Sequence, residues 1–131
     1  MKKVKSIFAV NELIENAVNN LNKRLVEGEK IFGILSDDRI KSNNVINLSD
    51  ITHKVDNINI LPNTNNVEVD ITILDTPKGK IIQDLLDNNY HFCSEIICHD
   101  KFDKTQNTII YDIERFDITL VNDENKENIL K

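Results

Sequence analysis

The stretch Val67-Glu68-Val69-Asp70-Ile71-Thr72-Ile73-Leu74-Asp75-Thr76-Pro77-Lys78-Gly79-Lys80-Ile81-Ile82 decides the fold. Val67, Val69, Ile71 and Ile73 alternate with Glu68, Asp70 and Thr72, the period-two pattern of a strand with one buried face. Thr76 then offers a hydroxyl that caps a helix, and Pro77 suits the first helical position, where its missing N–H would be unbonded anyway. Ile81, Ile82, Leu85 and Leu86 form the buried stripe of that helix, and Asn88-Asn89 ends it.

Working outward, residues 52–61 predict a second strand. Pro62-Asn63-Thr64-Asn65-Asn66 between the two has turn chemistry, so they pair as a hairpin. Asn11 can cap an earlier helix over residues 12–27. Leu13, Ile14, Ala17, Val18, Leu21 and Leu25 fall on its one stripe, and Gly28 suits the left-handed position past its end. Residues 30–35 read as a short strand and 36–44 as a polar loop. Residues 90–99 read as a strand, 101–107 as a loop, and Thr108–Val121 as one bent strand or two. The charged segment 122–131 reads as a frayed tail, with room for one helical turn. Strands outnumber two separated helices, which gives α+β: a small, mainly antiparallel β-sheet or barrel with flanking helices, one domain over 1–121 and a tail over 122–131.

The chain of 131 residues, 40% hydrophobic and 29% charged, is long enough for one independently folded core. Its net charge of -6 argues against nucleic acid as a partner, which a basic patch would have to attract. Met1-Lys2-Lys3-Val4-Lys5-Ser6 is basic, but the apolar run behind it stops at Val10, too short for a signal peptide's core. No apolar run spans a bilayer, so no membrane is expected.

On their own the residues offer little catalytic chemistry. No phosphate loop is present. Cys93, Cys98 and His99 are zinc-ligand types without paired C-x-x-C spacing, so neither a metal nor a cofactor is expected. On one strand the two cysteines would point to opposite faces, which leaves them as reduced thiols of a reducing compartment. His53 on a strand reads as a hydrogen-bonded, half-buried histidine. Ser94 lacks the glycine-flanked turn of a nucleophile elbow.

Three segments resemble the tailed-phage prohead (capsid maturation) proteases, relatives of the herpesvirus assemblin proteases. Glu12-Leu13-Ile14 through Gly28-Glu29-Lys30-Ile31-Phe32-Gly33-Ile34-Leu35 is similar to the family's helix, charged turn and G-E-L-x-H-P strand. Val45-Ile46-Asn47-Leu48-Ser49-Asp50-Ile51-Thr52-His53-Lys54-Val55 is similar to V-x-L-x-x-V-S-H-x-I. Ile73-Leu74-Asp75-Thr76-Pro77-Lys78-Gly79-Lys80-Ile81-Ile82 is similar to I-L-D-T-P-x-G-K-I, the most specific of the three. The resemblance covers about residues 10–121 and implies a herpesvirus-protease-like barrel with flanking helices.

The departures from the family bear on activity. Counting from Gly33-Ile34-Leu35-Ser36, the general-base histidine falls on Asp37 and its proline on Asp38. Counting from Asp75, the nucleophilic serine falls on Glu95, with Ser94 one place early, and the arginine and glycine of the oxyanion hole fall on Ile97 and Cys98. The third, acidic member is ambiguous between Asp117 and Asp123. A serine protease needs a hydroxyl, a base and oxyanion donors, and a carboxylate at the nucleophile position repels the charge it should stabilise. The resemblance therefore implies no catalytic residues but a pseudoenzyme with degenerate positions Asp37 and Glu95. Such a chain is a virion or assembly component that binds the major capsid protein, the scaffold or other head proteins. It would work in the host cytoplasm during assembly and, where retained, in the virion head; a homo-oligomer is compatible with it. The alternative is an active maturation protease using Ser94 with His53 or His91. Two outcomes stay open for Asp37 and Glu95. They approach each other, with one carboxyl group's pKa raised or a hard cation between them, or both face solvent.

Overall fold

Lys3, Lys5 and Ile7 alternate with inward residues at the start of the chain, and that alternation makes a strand. The computed structural model describes residues 1–39, 46–122 and 128–131, except for the side chains of Leu13 and Lys101. Strand β1 (Lys2–Ala9) buries Val4, Ser6 and Phe8 and turns Lys3, Lys5 and Ile7 outward. The sequence reading took this segment only as a basic start, because lysine on the solvent face hides the period in the hydrophobic count.

Helix α1 (Glu12–Val26) begins where the Asn11 side chain accepts from the Ile14 N–H. It closes at Gly28, whose φ of 95° lies in the left-handed region. Ala17, Val18 and Leu21 are buried, and Ile14 and Leu25 pack against them. Strand β2 (Phe32–Ile34) is short and runs through Leu35 into a single 3-10 turn, Ser36–Asp38. Of the loop expected over 36–44, residues 40–44 lie outside the described residues. A second 3-10 turn, Leu48–Asp50, leads into β3 (Ile51–Ile60), which pairs with β4 (Asn66–Ile73) as the hairpin expected from the sequence. Helix α2 (Pro77–Asp87) ends at Asn88, and Asn89 follows with a φ of 67°. Strands β5 (His91–Asp103) and β6 (Thr108–Val121) form a long ribbon with a bulge between Ile97 and Cys98. β5 therefore runs through residues 101–103, which the sequence reading placed in a loop.

The fold is α+β with two antiparallel sheets, one of four strands in the order β1-β4-β3-β2 and one of the two strands β5-β6. Helix α1 packs on β3 and β6, and α2 packs on β3, β4 and β5. The core runs between the sheets: Val4, Phe8, Val55, Ile58, Val69 and Ile71 from one meet Phe92, Ile113, Phe116 and Ile118 from the other. The Phe8 and Phe116 rings lie 5.9 Å apart at their centroids. Two links join the sheets at their margins. Leu35 makes a parallel bridge with Ile118, and residues 128–131 sit between β5 and β1. Part of the segment read as a frayed tail is thus built in, with Leu130 buried; 123–127 lie outside the described residues.

The D-T-P-K-G-K stretch has a role for each residue it fixes. The Thr76 hydroxyl donates to Ile51 O at 2.6 Å and accepts from the Gly79 N–H at 3.0 Å. A side chain at Gly79 would begin 2.1 Å from Leu74 O, so only glycine lets the helix start this close to the strands. Lys78 Nζ reaches Asp38 at 2.8 Å and Asp50 at 2.6 Å, holding both 3-10 turns against the start of α2.

Gly33 is the second point of close approach, since a Cβ there would fall 2.0 Å from Phe116 O and 2.2 Å from His53 Nε2. Gly33→Ala should cost about 3 kcal/mol or more, because the atoms in the way are backbone and a fixed ring. Gly28→Ala meets no neighbour and costs only the strain of its positive φ, about 1 kcal/mol. Urea midpoints of the two variants should separate them clearly; equal midpoints would show that the sheets do not close over Gly33.

Candidate functional site

Three of the residues singled out in the sequence, His53, Glu95 and Asp117, lie at the seam where β2 meets the ribbon. Glu95 and Asp117 are cross-strand partners on β5 and β6, and like charges so placed repel unless a cation separates them. Arg39, just past the 3-10 turn, supplies it: its Nε donates to Asp117 Oδ2 at 2.9 Å and its Nη2 donates to Glu95. Glu95 is therefore tied to a guanidinium. Asp37, two residues before Arg39, is exposed and lines a cavity of about 230 Å³ with Ile81, Leu85, Phe92 and Leu120.

Asp117 is wholly buried and accepts from four donors. They are Arg115 Nε at 2.8 Å, Arg115 Nη2 at 3.3 Å, Arg39 Nε and the Ile34 N–H at 3.3 Å. A carboxylate taken from water is tolerable only when its lone pairs are filled by charged or aligned donors, and here they are. Of the two candidates for the acidic third member, Asp117 is this hub and Asp123 lies outside the described residues.

Ser94 is buried with its Oγ 2.7 Å from Ser6 Oγ, and Ser6 Oγ also reaches Asn128 O at 3.2 Å. When Ser6 donates to that carbonyl, it is left as the acceptor for Ser94. His53 is fully buried, with Nε2 2.7 Å from Phe116 O and Nδ1 2.6 Å from Thr52 Oγ1. A carbonyl only accepts, so Nε2 carries the proton and Nδ1 accepts from the threonine hydroxyl. Burial pushes the imidazole pKa down to about 4, outweighing the opposing pull of the Phe116 carbonyl and the Asp117 charge. His53 is thus a neutral bridge with both nitrogens engaged. His91, half-buried at the start of β5, lies three residues from Ser94 and so on the other face of the strand. The structure brings Ser94 to a second serine, not to an imidazole.

Cys93 is buried and Cys98 exposed, with no disulfide between them. Burial, helped by Asp112, raises the Cys98 thiol pKa. Among the described residues no group of three or more His, Cys, Asp or Glu side chains is placed to hold a metal ion, and no helix is long and apolar enough to cross a membrane.

Sequence reasoning missed Ser6, Gly33, Arg39, Thr52 and Arg115, the residues that engage the expected ones. Only Gly33 carried a signal, a glycine inside a strand pattern, which marks close backbone approach. No family model, curated protein or solved structure matches the chain.

Two measurements follow from this geometry. The folded-state pKa of His53 lies below the ordinary 6.5, so the unfolded chain binds its proton more readily. The stability held by the neutral ring is complete above pH 6.5 and falls as pH drops from 6.5 towards 4, by on the order of 3 kcal/mol. Urea titrations should show this slope in wild type and its loss in His53→Gln; parallel curves would mean that the ring titrates freely. Asp117→Ala should cost about 3 to 5 kcal/mol by leaving buried arginine charge unpaired. Glu95→Gln, in a pair about one-third exposed on each side, should cost less than about 1 kcal/mol. The reverse order would move the hub from Asp117 to Glu95.

Proposed function

We propose that this chain is a non-catalytic relative of the tailed-phage prohead proteases, an assembly component of the virus head that acts by binding the major capsid protein, the scaffold or another head protein. The observation that carries the non-catalytic part is the engagement of Ser94, His53 and Glu95 in bonds within the fold. Ser94 Oγ is bonded to Ser6, both His53 nitrogens are bonded, and the carboxylate at the nucleophile position is paired with Arg39. A nucleophile needs a base within reach and donors aimed at the oxyanion, and these bonds serve the fold instead. The head assignment rests on the three resembling segments. The physical roles found for Thr76 and Gly79 support it, since each explains a residue of the most specific segment. The two links between the sheets, at Leu35–Ile118 and along residues 128–131, support the barrel that the resemblance implies.

Without catalysis, the reason to keep such a fold is its surface. The net charge of -6 favours protein partners with basic or mixed faces over a phosphate backbone. The host cytoplasm during assembly, and the head itself, are where such partners occur.

Purified protein incubated with proheads of the encoding virus should leave capsid and scaffold proteins intact, and Ser94→Ala should give the same pattern. Cleavage that disappears in Ser94→Ala would overturn the non-catalytic reading. Mass spectrometry of gradient-purified proheads should detect the chain at a fixed ratio to capsid protein. Its absence from proheads and from their assembly intermediates would overturn the head assignment.

A further inference from the structure

Every charged side chain of the turn Ser36-Asp37-Asp38-Arg39 is engaged except that of Asp37. Asp38 is held by Lys78, and Arg39 is tied to Glu95 and Asp117. Among the described residues Asp37 has no side-chain hydrogen bond or ion pair, and it stands exposed at the mouth of the cavity of about 230 Å³. The rest of that cavity is largely apolar. Ile82, Phe92 and Ile118 line it as buried side chains, and Ile81 and Leu120 line it while 57% and 47% exposed. A free carboxylate beside apolar surface is the complement of a basic side chain, which has an apolar stem and a charged head.

The strand beside the cavity has an open edge. The Ser94 N–H and the Phe92 carbonyl bond to residues 128–131, so both face away from β6. Phe92–Leu120 and Ser94–Ile118 are then non-hydrogen-bonded pairs of the ribbon, and the N–H and C=O of Ile118 and Leu120 point away from β5. At Ile118 that outer edge is covered by the bridge from Leu35. Two residues on, the chain has left β2 for the 3-10 turn. Among the described residues no backbone group pairs with the outer edge of Leu120.

We propose that this edge and the cavity beside it take an extended segment of a partner protein as an added strand. An apolar residue of that segment fills the cavity, and a lysine or arginine two positions away pairs with Asp37. Residues two apart on a strand share a face, so one register serves both contacts. Backbone pairing with Leu120 aligns the segment, and the side chains select it. The net charge of -6 draws basic segments to the chain over acidic ones. The inference rests on the cavity and the β6 edge, and it stands or falls apart from the head assignment.

The peptide acetyl-Lys-Thr-Leu-Thr-Lys-amide is a direct probe, because it offers a lysine two places from its leucine whichever way the strand runs. Titrated to millimolar concentration into the isotope-labelled full chain, it should shift the NMR signal of the Leu120 amide saturably and slow that amide's hydrogen exchange. Asp37→Asn should weaken binding about three- to fivefold, the effect of a pair exposed on one side. Ile81→Lys, at an exposed site, should abolish binding without unfolding the chain, and so should glutamate in place of both peptide lysines. Pentylamine, which carries the stem and the charge without a backbone, should leave the exchange of the Leu120 amide unchanged. Shifts that miss Leu120, no saturable shift at all, or affinity unaltered by Asp37→Asn and Ile81→Lys overturn the proposal. Equal binding of pentylamine overturns it too, by showing that the cavity takes a free amine and no strand.

Discussion

The hydrogen bond from His53 to the carbonyl of Phe116, made across the bare backbone of Gly33, joins the two sheets on which everything else is built. A two-stranded ribbon is marginal by itself, and a single four-stranded sheet needs a second layer to cover its apolar face. Consecutive residues of β6 take hold of the larger sheet in turn. Phe116 does so through its carbonyl, Asp117 through its side chain on the Ile34 N–H, and Ile118 through its bridge to Leu35. Three successive anchors leave no freedom of register between the sheets. A slip by one residue would expose Phe116 and Ile118 and strand the Asp117 charge.

This seam is polar where an apolar one would serve for adhesion alone. Asp117 with its four donors, the neutral His53 and the Ser6–Ser94 pair all carry directional requirements that only one packing meets. Buried polar groups of this kind contribute little net adhesion but penalise every alternative arrangement heavily. The cost is a dependence on protonation: a neutral imidazole and an ionised carboxylate must coexist within one seam.

What could be read from the sequence was local. The β3–β4 hairpin, both helices and their caps follow from alternation, stripe and capping chemistry inside single windows. β1 escaped because two of its outward positions are lysines, Lys3 and Lys5, so its inward Val4, Ser6 and Phe8 looked like the start of a basic leader. Residues 128–131 escaped because a pairing with Lys5 spans nearly the whole chain and leaves no periodic trace in four residues. At the site, alignment to a family pattern pointed to Asp37, Glu95 and Ser94, but partners decide what such side chains do. Arg39 lies 56 positions from Glu95 and Ser6 lies 88 from Ser94. Neither distance is visible in any window.

Lys78 grips Asp38 and Asp50 with a single ammonium group, and so fixes the two ends of the intervening segment beside each other. The entropy of closing that segment is met at its base, whatever its contents. Because closure entropy grows only with the logarithm of length, residues added between Arg39, which serves the seam, and the second 3-10 turn would leave the sheets undisturbed. The same base would serve as a grafting point for a foreign epitope, displayed at a rigid foot next to the seam.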